Sequence, residues 1–171
     1  MEQYQFKIEK SHKLTRDELH KFNPNGVFLY ILHADKIPPH IGLSIQHKFY
    51  SLKANAIDFR LDLYRFHQVI ATKSIPTIMI ELNFPQLTLE HVKEVFHSYG
   101  KKLSSGSTCL HPIDQLTTGE VKHEKIGELL HSLNEQQQIK KIFSYQISEN
   151  YKGILNYSLN DIQKRIFELR C

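Results

Sequence analysis

Cysteine is scarce in this chain, with two in 171 residues, and Cys109 and Cys171 show neither metal-type nor redox-type spacing. Two cysteines make no disulfide framework for a secreted domain, so free thiols in a cytoplasmic protein are expected. No run approaches the ~18 apolar residues that a membrane span needs. The N-terminal Met1-Glu2-Gln3-Tyr4-Gln5-Phe6-Lys7 lacks the apolar core of a signal peptide. Positive charge is also thin. The net charge is +4, and Lys101-Lys102, Lys140-Lys141 and Lys164-Arg165 are scattered pairs without interleaved base-stacking aromatics, which argues against nucleic acid as a partner. There is no glycine-rich phosphate loop and no internal repeat. No Gly-x-Ser-x-Gly elbow is present, either in Ser104-Ser105-Gly106-Ser107 or elsewhere, which disfavours a serine hydrolase.

What is present fits an ordinary globular domain, with 40% hydrophobic and 23% charged residues, long enough to bury a core without staples. Asn23-Pro24-Asn25-Gly26 is turn chemistry that launches the apolar run Val27 to Leu32, the pattern of a central strand. Pro38 cannot donate to a ladder, so a strand begins at His40 and runs through Ile45. Gln46-His47 is a tight turn into Lys48 to Leu52, giving an antiparallel hairpin. Ile75 to Leu82 is a further strand. Capping residues mark a short helix after Thr15, with Glu18 completing its box, and a longer one after Thr88 ending at Gly100. Between the hairpin and Ile75, periodicity favours a helix from about Leu61. From Glu120 onward the chain reads as helical, with Ile126, Leu129, Leu130 and Leu133 on one face and a last helix capped at Ser158.

Two residues carry potential chemistry. Pro112 must lie in the first turn of any helix it joins, which puts Cys109 at a helix N-terminus. There the macrodipole and unpaired N–H groups favour thiolate and could hold an oxyanion. On position alone, burial as a small hydrophobe is the commoner use of such a cysteine. His40, at a strand mouth, could supply the base that a catalytic thiol requires. His111 is a rival, but residues two apart do not face each other on a helix. His33, His40 and His47 recur every seven residues, yet Pro38 and Pro39 break the segment, so neither a zinc site nor another cofactor is expected.

The ordered set now resembles a known family. It comprises the Asn-Pro-Asn-Gly turn with its strand, His40-Ile41-Gly42-Leu43-Ser44-Ile45, Tyr50-Ser51-Leu52, the strand Thr77 to Leu82 with its following helix, the Tyr99-Gly100-Lys101-Lys102 loop and the helix-starting Cys109. It is similar to the circularly permuted NlpC-type cysteine hydrolases of the papain-like superfamily. The same histidine-then-cysteine order occurs in lecithin retinol acyltransferase-like proteins. The resemblance covers about Phe22 to Gln115. It implies an α+β fold, an antiparallel sheet packed against helices, in a single domain of residues 1–171. The papain-like core would span 1–117 and a helical extension 118–171, the latter packing on the core or binding a protein partner.

The resemblance further implies a thiol hydrolase (peptidase or amidase) or acyltransferase acting on the amide, thioester or ester bond of a peptide or acyl substrate. Cys109 would be the nucleophile and His40 the base, with an oxyanion hole from the backbone of Cys109 and Thr108. The chain departs from the pattern in having Thr108 where many members carry Asn or Asp. The residue that orients the histidine is open among Ser51, Lys53 and Glu81; the hairpin sets Lys53 opposite His40 and Ser51 diagonal to it on the same face. A catalytically silent domain of this fold, binding a protein or a small ligand, is the alternative.

Overall fold

The apolar run Val27–Leu32 is buried at every position and forms the central strand β3, as a strand covered on both faces must be. A computed structural model of the protein describes residues 2–103 and 106–170; Ser104, Ser105 and Cys171, named above, lie outside the described residues. In chain order the elements are β1 (Tyr4–Lys7), β2 (His12–Lys13), α1 (Arg16–Lys21), β3, β4 (His40–Ile45), β5 (Lys48–Leu52), β6 (Ile57–Asp62), α2 (Leu63–Thr72) and β7 (Thr77–Leu82). They continue with α3 (Leu89–Gly100), α4 (Leu110–Thr118), α5 (Ile126–Glu135), β8 (Ile139–Tyr145), β9 (Gly153–Leu155) and α6 (Leu159–Arg170). Seven strands form one sheet in the order β2-β8-β7-β3-β4-β5-β6. Its pairs are antiparallel except β2 with β8. A separate antiparallel pair joins β1 to β9.

Side chains alternate across this sheet, and each face finds a helical layer. Leu29, Ile31, Ile41, Leu43, Ile78 and Ile80 pack against Val92, Val95 and Phe96 of α3, Leu110 and Ile113 of α4, and the Ile126–Leu133 stripe of α5. Phe28, Tyr30, Phe49 and Met79 face the other way, onto Leu19 of α1 and Leu63 and Ile70 of α2. The architecture is therefore α+β, with helices on both faces of a mostly antiparallel sheet.

The capping box at Thr15 and the cap at Thr88 anticipated from sequence both form. Thr15 Oγ1 accepts the Glu18 N–H and Glu18 accepts the Thr15 N–H; Thr88 Oγ1 accepts from His91 N–H. The β4–β5 turn is Gln46-His47, both with positive φ, and its register pairs Leu43 with Tyr50 and Ser44 with Phe49. Gly42 makes the hairpin possible here, since a Cβ would strike the Phe49 ring and lie 2.8 Å from the Tyr50 carbonyl oxygen.

Two expectations are corrected. The segment from Ile57 first forms β6, and α2 starts at Leu63 rather than near Leu61 because the Asp62 carboxylate caps it, accepting the Arg65 N–H. Residues 118–171 are not a helical extension on a core ending at 117. Their β8 pairs with β7 in the central sheet, and their β9 pairs with β1. The unpaired edge of β7 needs a partner for its backbone groups, and β8 supplies it.

Candidate functional site

Pro38 and Pro39 hold the chain out of the ladder, and β4 opens at His40, paired with Leu32 of β3. Cys109 occupies the N-cap position of α4, with Pro112 in that helix's first turn. The strand mouth and the helix mouth border one cavity of about 560 Å3, lined by His40, Ile41, Thr108, Cys109 and Tyr157 among others. Its far wall is one face of α6, through Ile162, Arg165, Ile166 and Leu169. His40 and Cys109 thus share a cleft, but no hydrogen bond joins them among the described residues. Strand alternation explains the gap. His40 falls in the row of Tyr30 and Gly42, whereas Cys109 packs against the core cluster that holds Ile41, whose side chain belongs to the opposite row.

The histidine is tied from behind. His40 Nε2 lies 3.1 Å from Ser51 Oγ, the diagonal neighbour expected from the hairpin. Ser51 in turn donates to Asp58 Oδ2 at 2.6 Å, and Lys53 Nζ lies 2.7 Å from Asp58 Oδ1. Ser51 is fully buried, while the Asp58 side chain keeps 16% exposure. His40 Nδ1 makes no hydrogen bond among the described residues. Of the three orienting candidates, Ser51 touches the imidazole and Lys53 acts on Asp58. Glu81 stands four positions along β7 from Thr77, which pairs with the same Leu32 as His40, and takes no part in this chain.

Electrostatics hold both groups neutral at rest. Burial lowers the His40 pKa to about 4 against the opposing pull of the Asp58 carboxylate. Burial raises the Cys109 thiol, although the N–H groups of Ile41 and Cys109 itself pull the other way. The thiolate expected from a helix N-terminus is therefore corrected: desolvation against the core outweighs the dipole.

The oxyanion hole also needs revision. The Thr108 N–H donates to His111 Nδ1 at 3.2 Å, so of the two predicted backbone donors only that of Cys109, which lies against its own sulfur, is not taken by another residue. The same bond occupies His111, the rival base.

Asp58 and Tyr157 escaped the sequence reading. Asp58 belongs to the relay just described. Tyr157 is a buried ring in the cavity wall whose hydroxyl accepts the Ile126 N–H at 3.1 Å and whose pKa burial pushes up. Nothing in the local sequence marks either one. Asp58 lies within the ambiguous strand–helix segment, and Tyr157 sits just before a helix cap.

Among the described residues no cluster of three or more His, Cys, Asp or Glu is arranged to hold a metal ion. No helix among them is long and apolar enough to cross a membrane. Protein-family models, curated proteins and solved structures were compared with the chain, and none matches it.

Proposed function

We propose that this protein is a cysteine-dependent acyl-transfer enzyme, a hydrolase or acyltransferase of permuted papain-like, NlpC-type design, with Cys109 as nucleophile and His40 as base. One observation supports it above all. A helix-mouth thiol and a strand-mouth imidazole border the same cavity, and the imidazole is hydrogen-bonded on the nitrogen that leaves the other one unpaired. Because both groups are neutral at rest, the proton moves as the carbonyl is attacked. The Cys109 sulfur bonds to the acyl carbon while its proton passes to His40 Nδ1, which then protonates the leaving group. Separate charges at these positions would be costly, but the thiolate and the imidazolium formed together are each other's counter-ion. The Cys109 N–H is the donor placed for the oxyanion. The absence of a Cys109–His40 hydrogen bond among the described residues fits a site that tightens only around substrate, since catalytic hydrogen bonds are often loose in unliganded enzymes.

A non-catalytic binding module is favoured by the raised thiol and by the missing Cys109–His40 hydrogen bond. One experiment separates the readings. The protein is treated with 4-nitrophenyl acetate, and acylation is followed by nitrophenolate release and by mass mapping. Acylation of Cys109 that is absent in Cys109→Ala and slowed roughly 100-fold or more in His40→Ala is the expected result. An equal rate in His40→Ala, or no acylation of Cys109, would overturn the enzyme reading.

A further inference from the structure

We infer that Asp58 is a positioning residue for His40, acting through Ser51 to fix the imidazole as its Nε2–H tautomer and to keep Nδ1 as the basic nitrogen. This inference rests on the acyl-transfer reading for its purpose, though not for its geometry.

The argument is a count of protons. An ionised carboxylate only accepts, so the 2.6 Å contact between Ser51 Oγ and Asp58 Oδ2 consumes the single hydroxyl proton of Ser51. Ser51 Oγ can then only accept from its other neighbour, His40 Nε2, at 3.1 Å. Nε2 must therefore carry hydrogen. A neutral imidazole has one N–H, so Nδ1 holds the lone pair. Lys53 completes the device. Its ammonium, a donor with no lone pair, holds Asp58 Oδ1 at 2.7 Å and so reserves Oδ2 for Ser51.

The fold builds this relay from paired strands. Ser51 on β5 and Asp58 on β6 are direct register partners, reached through an irregularity in the ladder between Phe49 and Ser51. His40 lines the cavity, whereas Ser51 and Asp58 do not. Lys53 returns to that lining, so Ser51 and Asp58 hold the ring from outside the cleft and the relay ends at the cleft's wall.

Asp58→Asn tests the inference with almost no change of shape. Lys53 will hold the amide oxygen, which places the new NH2 group where Oδ2 was. Ser51 must then accept from Asn at position 58 and turn its own proton toward His40 Nε2. The expected result is a reversed tautomer, Nδ1–H, read from the nitrogen-15 shifts of His40 at neutral pH, with the resonance assigned by its loss in His40→Ala. Cys109 acylation by 4-nitrophenyl acetate falls at least tenfold in the same variant, while Ser51→Thr, which keeps the hydroxyl, retains both the Nε2–H tautomer and the rate. Ser51→Ala offers a second route should Asp58→Asn fold poorly, and it leaves a mixture of tautomers. Retention of pure Nε2–H in Asp58→Asn or in Ser51→Ala would overturn the relay. A purely structural tie between β5 and β6 would lower the melting temperature and leave the tautomer unchanged, which also overturns it. A reversed tautomer with an unchanged acylation rate sustains the relay and instead sinks the acyl-transfer reading.

Discussion

His40 and Cys109 border one cleft but are held by opposite means. His40 is anchored by a polar chain running back through Ser51 and Asp58 to a partly exposed lysine. Among the described residues Cys109 has no side-chain partner of that kind. It packs against the apolar core shared by β4 and α4, and the backbone N–H groups of Ile41 and of Cys109 itself approach its sulfur. The polar half fixes a proton's position, and the apolar half suppresses a charge. Together they describe a site kept neutral until something enters it.

The largest expected effect falls on the cysteine half. α4 carries Asp114, a fully buried carboxylate that accepts the Lys122 and His123 N–H groups and pairs with His123 Nδ1 at 2.7 Å. These bonds hold its pKa low against the opposing effect of burial. Asp114→Ala strands all these donors and should cost about 3 kcal/mol, seen as a lower denaturation midpoint. A loss as small as that of an exposed site would show that α4 is not pinned here. On the histidine half, Ser51→Ala removes one link of the relay, and a smaller cost of about 1–2 kcal/mol is expected by the same assay.

The pH dependence sharpens the contrast further. With the His40 pKa at about 4, its base form is complete at neutral pH. Acylation of Cys109 should be flat from about pH 5 to 8 and fall about tenfold per unit once His40 is protonated. In His40→Ala the rate should instead climb about tenfold per unit across that range, tracking thiolate. Parallel profiles would remove His40 from the reaction.

His67 supplies a control, since it is an imidazole of similarly lowered pKa, about 4 through burial, and does not line the cleft. Its Nε2 lies 2.8 Å from the Tyr30 hydroxyl. Because the folded pKa lies below the unfolded value of about 6.5, its contribution is intact above that pH and lost as pH falls toward the folded value. The slope is about 1.4 kcal/mol per pH unit. His67→Gln should flatten that part of the stability curve without altering Cys109 acylation. The smallest effect is expected on the outer side of the cleft's third wall. Phe167 of α6 is 70% exposed, so Phe167→Ser should shift stability by less than ~0.5 kcal/mol.

Much of this was legible in the residues. β3, β4, β5 and β7 announce themselves because strands covered on both faces read as apolar runs. Pro38 and Pro112 set the two mouths by denying a hydrogen bond, a local effect that needs no tertiary information. β8 was hidden. Ile139–Tyr145 carries exposed Lys140 and Lys141, and its outer neighbour β2 spans only His12–Lys13, so its sequence shows a weak apolar signal despite its place in the sheet. The Ser51 contact followed from the hairpin register, but Asp58 did not, because its pairing depends on the ladder irregularity after Phe49.

The sequence by itself therefore determined where the strand and helix mouths lie, since proline, capping and hydrophobic period act over a few residues. Tertiary structure decided the rest. It brought Cys109 into the cleft that His40 borders, set Asp58 behind Ser51, and spent the Thr108 N–H on His111. It also reversed the expected charge state of the thiol, because desolvation depends on every chain segment packed around the sulfur and not on its neighbours in sequence.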